Sequence, residues 1–228
     1  MIGTLRLMLE VEVRPGDQHA PKHSAPDLWT LLDRLGPGRQ PWLLRGDNAW
    51  SGEHNARGRT ARAALSVPPS PDPQRGARDR ACDGGDAEND FDELKNQWGW
   101  GGFTTQDLKR CRLMARFVAL VFNWWTLFVR LADPDHHREA ITTRPLLLSA
   151  IGRRTTHAGQ TTIHVGSTHG RHAWVRRALT RIGAFLEALR SSAEQLTSLE
   201  RWYRILSEAF ARYLKGRQLD PPRLLGAG

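Results

Sequence analysis

Residues 88–103 read ENDFDELKNQWGWGGF, and the fold turns on how they are taken. Glu88 and Lys95 stand seven residues apart. At ~100° per residue, seven steps return to nearly the same helix face, about 10.5 Å further along the axis. A carboxylate and an ammonium two turns apart on one face suit a metal ion at one end and a phosphate at the other. They equally describe the solvated charged face of an ordinary helix. The residues on either side bear on that choice.

Downstream, the spacing predicts helices over Thr105 to Leu131, roughly Arg171 to Ser191, and Glu194 to Lys215. Thr104 or Thr105 is the expected N-cap of the first, with Asp107 in its opening turn, where the helix dipole favours an anion. Its apolar run, Phe117 to Leu131, holds Asn123 and Thr126 and is flanked by Arg116 and Arg130. A buried helix fits that better than a membrane span. Trp124 and Trp125 are expected in the core. Upstream, Thr4 to Val13 alternates, with Leu5, Leu7, Leu9, Val11 and Val13 on one side, and reads as a strand. Leu28, Leu31, Leu32 and Leu35 give a helix over Asp27 to Leu35, closed by Gly36-Pro37-Gly38. Trp42 to Arg45 reads as a short buried strand running into Gly46-Asp47. Strand, helix and strand in that order imply an α/β sheet with Asp47 at a strand's C-terminal end.

Residues 51–86 break the pattern, with nine Gly or Pro among thirty-six and VPPSPDP at the centre. They read as a low-complexity linker. Charge is divided as sharply. Residues 141–228 hold fourteen basic and five acidic side chains, the whole of the net +9. Such a module is an electrostatic footprint for a polyanion, DNA first among them, although basic domains without that role are common. Cys82 and Cys111 lack metal-ligand spacing and suggest no disulfide framework. With no basic, apolar leader at the N-terminus, the chain reads as cytoplasmic and nucleoid-associated, with no membrane partner.

Glu88, six residues, Lys95, then Asn96 to Phe103, resembles the C-terminal catalytic block of DDE transposases of bacterial insertion sequences. That group's signature runs Tyr, two residues, Arg, three residues, Glu, six residues, Lys; here the Tyr and Arg positions are Ala81 and Gly84. The run from Phe103 to Leu148 resembles the family's tail, and EVRPGDQHAPKH and LLRGDNAW its central strands. The resemblance covers about residues 4–50 and 86–215. It implies an α/β remnant of a ribonuclease H-like catalytic core in 1–50, a linker or deletion or frameshift scar in 51–86, the catalytic-Glu helix and a long buried helix in 87–140, and a basic, mainly α-helical region in 141–228. By position, Asp47 matches the family's second carboxylate and Glu88 its third, the metal ligands, and Lys95 the lysine set against DNA. Intact relatives cut and join transposon-end DNA by phosphoryl transfer at two divalent ions, usually Mg²⁺, with Mn²⁺ an alternative. Asp47 has an alternative role as an Asx-turn residue before Asn48. The strand bearing the family's first carboxylate has no counterpart here, so the expectation is a truncated, internally deleted and catalytically incomplete copy. A homo-oligomer or an intact transposase is the implied protein partner.

The other reading of the same residues is a non-enzymatic basic helical module. Arg176, Arg177 and Arg181 lie on one C-terminal helix, and Arg201 and Arg204 on the next. Apolar stripes at Leu179, Ile182, Phe185, Leu186 and Leu189, and at Leu199, Trp202, Ile205, Leu206 and Phe210, predict a helical hairpin with basic outer faces gripping phosphates. Trp98 and Trp100 either stack on an unpaired base or anchor a turn. Asp133 to His137 and the histidines 157, 164, 169 and 172 read as polar loops.

Overall fold

The computed structural model describes residues 5–16, 20–35, 89–148, 152–166 and 170–221. Asp47, Glu88, the expected strand at 42–45 and the segment 51–86 lie outside these residues. The chain divides into two compact units, Met1–Leu120 and Val121–Gly228, with the boundary inside one continuous helix.

In the first unit α1 spans Ala20–Leu35 and residues 89–97 form α2; α3 (Leu108–Ala132) contributes its N-terminal half. The strand expected over Thr4 to Val13 is absent: among the described residues, Leu7 makes an isolated bridge and residues 8–15 take no regular structure. The alternation fails with it, since Met8 and Val11 are buried while Leu9 is exposed. The cause lies in the partners of this segment's carbonyls. Arg112 Nε donates to the Val13 oxygen at 3.0 Å and Arg116 Nε to that of Val11 at 3.3 Å. The same guanidinium groups pair with Glu12 at 2.8 and 3.0 Å. Side chains of a helix thus meet acceptors that a neighbouring strand would have met. Arg34 to Glu10, at 2.7 Å, and Arg14 to Asp27 tie α1 to the same segment. α1 itself begins at Ala20, earlier than the leucine spacing predicts, and buries Ala25 and Leu32.

α2 ends in a turn that Gly99 makes with φ of +76°, a left-handed value costly for side-chain-bearing residues. Trp100 N–H then reaches the Leu94 carbonyl at 3.0 Å. A Cβ on Gly101 would come within 3.2 Å of the Lys95 oxygen, so glycine suits that close approach. Trp98 donates to Glu93 Oε1 at 3.4 Å and the Trp100 ring lies parallel to Phe91, centroids 6.3 Å apart. The two tryptophans therefore make turn-anchoring contacts.

α3 starts at Leu108, and its cap is Asp107, with neither Thr104 nor Thr105 in that role. The Asp107 Oδ1 accepts from the N–H groups of Lys109 and Arg110 at 2.9 and 3.3 Å. At 25 residues α3 is long and apolar enough to cross a membrane. Three of its polar side chains find protein partners within their own units, Arg112 and Arg116 as above and Trp125 Nε1 on Thr143 Oγ1 at 3.0 Å. The helix is nonetheless not the buried one expected: Trp124, expected in the core, is 54 % exposed, and Leu113, Met114, Phe117 and Leu120 are exposed as well.

The second unit holds the rest of α3, α4 (Ala140–Leu148), the antiparallel pair β1 (Gly152–His157) and β2 (Gln160–Val165), α5 (His172–Ser191), α6 (Ser198–Ala209) and α7 (Ala211–Leu214). The hairpin occupies a region read from sequence as a histidine-bearing loop. Phe122, Ala140, Thr143, Val175, Ala178, Ile182, Ala209 and Phe210 are among the buried residues. Arg130, also buried, lies over the rings of Phe210 and Tyr213 at 5.2 and 5.4 Å. α6 opens on a reciprocal capping box of Thr197 and Glu200, and its first residue, Ser198, is four later than the spacing suggests. Its expected stripe is only partly covered, for Leu199 and Trp202 remain exposed.

Candidate nucleic-acid interface

α5 carries its charges and its core on opposite sides. At ~100° per residue, buried Val175, Ala178 and Ile182 centre on one side of the helix, and the rows 172–176–180–184 and 173–177–181 on the other. Along this outer side Arg176, Arg177 and Arg181 flank a shallow groove that includes Ala173 and Ala184. Small side chains between long cations leave the guanidinium groups room to reach outward.

The five expected arginine contacts are not alike. Arg181 Nη2 meets Glu208 Oε1 on α6 at 2.9 Å. Arg201 donates to Ser198 Oγ at 3.2 Å, and Arg204 to Ser192 Oγ, at the C-cap of α5, at 2.9 Å. Arg181 and Arg204 tie α5 to α6, whereas Arg201 meets a residue one turn earlier on its own helix. Arg176 and Arg177 are exposed, and among the described residues they meet no carboxylate. Adjacent guanidinium groups at this surface present up to ten N–H donors to an anion.

Lys95 is likewise exposed on α2. Glu88, the partner that the resemblance gives it, and Asp47 lie outside the described residues. The buried carboxylates of the described part of α2 are Asp90 and Glu93. Asp90 pairs with Arg6 at 3.1 Å and Glu93 accepts from Trp98, so within their own unit both belong to structural contacts.

Asp133, expected in a polar loop, is instead a buried hub of the second unit. It accepts from Arg138 Nε at 2.6 Å and Trp174 Nε1 at 3.0 Å, and His136 Nδ1 lies 3.1 Å away. Burial pushes the carboxyl upward in pKa, but these hydrogen bonds and the Arg138 charge outweigh it and hold the group down at about 2. Arg138 also covers the Trp174 ring at 5.1 Å. Trp174 stands in the first turn of α5, so this hub fixes the helix end beside Arg176 and Arg177. Nothing in the spacing of residues 133–138 marked it, because its key partner is forty-one residues away.

The hairpin supplies two further exposed cations, Arg153 and Arg154. Sequence reasoning missed them, though a signal was present: two Thr-rich runs separated by Ala158-Gly159, the last a residue suited to a two-residue turn. No protein-family model matches the sequence. No curated protein and no solved structure matches it either.

Proposed function

We propose that the chain is a DNA-directed protein of insertion-sequence transposase ancestry, and that its present activity is binding duplex DNA through phosphates on the basic face of its C-terminal unit. One observation carries the reading: Arg176 and Arg177 face outward from α5, away from its buried side, with no carboxylate partner among the described residues. The charge excess of residues 141–228 supplies the surrounding attraction. The contacts position the protein on the duplex and carry no base information themselves. The test is binding to random-sequence duplex DNA by fluorescence anisotropy across a salt series. Binding that weakens steeply with salt and is unchanged by Asp47→Ala or Glu88→Ala supports the proposal; undetectable binding at low salt contradicts it.

A second reading keeps the ancestral chemistry. It is favoured by one feature, the helical segment 89–97 carrying Lys95 outward where the resemblance sets a DNA-facing lysine. Asp47 and Glu88 would then hold Mg²⁺ or Mn²⁺, which supplies Lewis acidity at the scissile phosphate. Metal-dependent nicking of transposon-end DNA, lost in Glu88→Ala, is its test. An intact transposase is the protein partner this reading implies.

A further inference from the structure

The β1–β2 hairpin is unusual in what it leaves out. Its register pairs Arg153 with His164, Thr155 with Thr162 and His157 with Gln160, which puts these six side chains on one side of the ribbon. Every one is polar, and Thr155 Oγ1 and His164 Nε2 share a hydrogen bond at 3.1 Å. The other side contains Arg154, Thr156, Thr161 and Ile163, and Ile163 is 54 % exposed. Residues 153–164 contain no acidic side chain, and apart from half-buried Thr155 all of them are exposed. Packing therefore contributes little to this ribbon. What shapes it is local: β-branched cross-strand pairs, and a two-residue turn in which Ala158 and Gly159 take φ of 48° and 77°. A two-stranded hairpin of this kind is marginal in water unless something else holds it.

Resting on the duplex-binding reading, we infer that this hairpin enters the major groove of DNA and reads base edges with its all-polar side. The fit is one of size, charge and chemistry. Two strands ~4.8 Å apart with their side chains match a groove ~12 Å wide, and six residues of strand span ~20 Å. The arginine at 153 suits the O6 and N7 acceptors of guanine, and Gln160 near the tip suits adenine N6 and N7. Thr155, Thr162 and the two histidines offer shorter donors and acceptors. The α5 arginines would hold the backbone while the hairpin specifies, the division of labour common among DNA-binding proteins. The deep, narrow major groove of double-stranded RNA would not admit the ribbon.

The test is selection of the full chain against a pool of random-sequence duplex DNA, followed by sequencing. The wild type is expected to enrich a short motif, preferred roughly ten-fold or more over random duplex. Arg153→Ala with His164→Ala should abolish the enrichment with only a few-fold loss on random DNA. Arg153→Lys, which keeps the charge but loses the planar fork, should change the enriched bases without changing the salt dependence. Arg176→Ala with Arg177→Ala should instead weaken binding to all duplexes and leave the motif intact. A wild type that binds random DNA but enriches nothing, a motif that survives the hairpin substitutions, or tighter binding to duplex RNA would each overturn the inference and leave phosphate binding standing. Absence of any duplex binding would remove both.

Discussion

The Asp133 carboxylate accepts the indole N–H of Trp174 at 3.0 Å across forty-one residues of chain, joining the end of α3 to the first turn of α5. With Arg138 at 2.6 Å on the same oxygen, the contact is charge-assisted and largely shielded from water. Asp133→Asn keeps the shape and removes the charge. It is expected to destabilise the second unit by about 2 kcal/mol, in line with hydrogen bonds to charged groups. Hydrogen exchange should show the loss first in the opening turns of α5.

The same carboxylate makes stability depend on pH. Its folded pKa of about 2 lies below the ordinary 3.8, so its contribution is present above pH ~4 and fades as pH falls through the interval down to about 2. Allowing for partial screening, the effect amounts to ~1–2 kcal/mol. Thermal unfolding of the wild type against Asp133→Asn, followed from pH 5 to pH 2, should show the two curves converging at the acid end.

Asp107 caps α3 through two backbone N–H groups. Asp107→Ala should cost ~1 kcal/mol, the usual penalty for losing an N-cap side chain. Thr104→Ala should cost less than half as much, because Thr104 accepts neither of those hydrogen bonds. Denaturant midpoints of the two variants distinguish the caps.

The hairpin turn places a non-glycine residue, Ala158, at φ of 48°. Asparagine tolerates that region better than alanine and is favoured before glycine in two-residue hairpins. Ala158→Asn should therefore tighten the ribbon by a few tenths of a kcal/mol, and Gly159→Val should loosen it by ~1 kcal/mol or more. Cross-strand amide contacts measured by NMR at 152–165 give the direction of each.

Helices were the most readable part of this chain because an amphipathic period is written locally. Leu28, Leu32, Ile182 and Leu206 each lie in helices whose apolar spacing announces them, and α5 is expected and found over nearly the same residues. The N-terminal segment misled for an equally local reason. Its alternation is genuine, but its carbonyls find Arg112 and Arg116 about a hundred residues later, and no window of the sequence contains that competition. The Asp133 hub was hidden in the same way. The hairpin was missed because its strands are Thr-rich and polar on one side, so hydrophobic periodicity gave no signal, and the residue before Gly159 is an unremarkable alanine. For the basic face, sequence placed Arg176, Arg177 and Arg181 on one helix, yet it weighted Arg181, Arg201 and Arg204 equally with Arg176 and Arg177. Only the positions of Glu208 and Ser192 separate Arg181 and Arg204, which tie α5 to α6, from Arg176 and Arg177, which face outward.

The central claim is most directly tested by the salt slope of duplex binding for the wild type and for Arg176→Ala with Arg177→Ala. Each phosphate contact adds ~0.9 to the slope of log affinity against log salt. The double variant is predicted to bind every duplex more weakly and to lose about 2 from that slope, while retaining the wild-type helical content. An unchanged slope and affinity would contradict the account, because it would mean that DNA, if bound at all, does not lie against the outer face of α5.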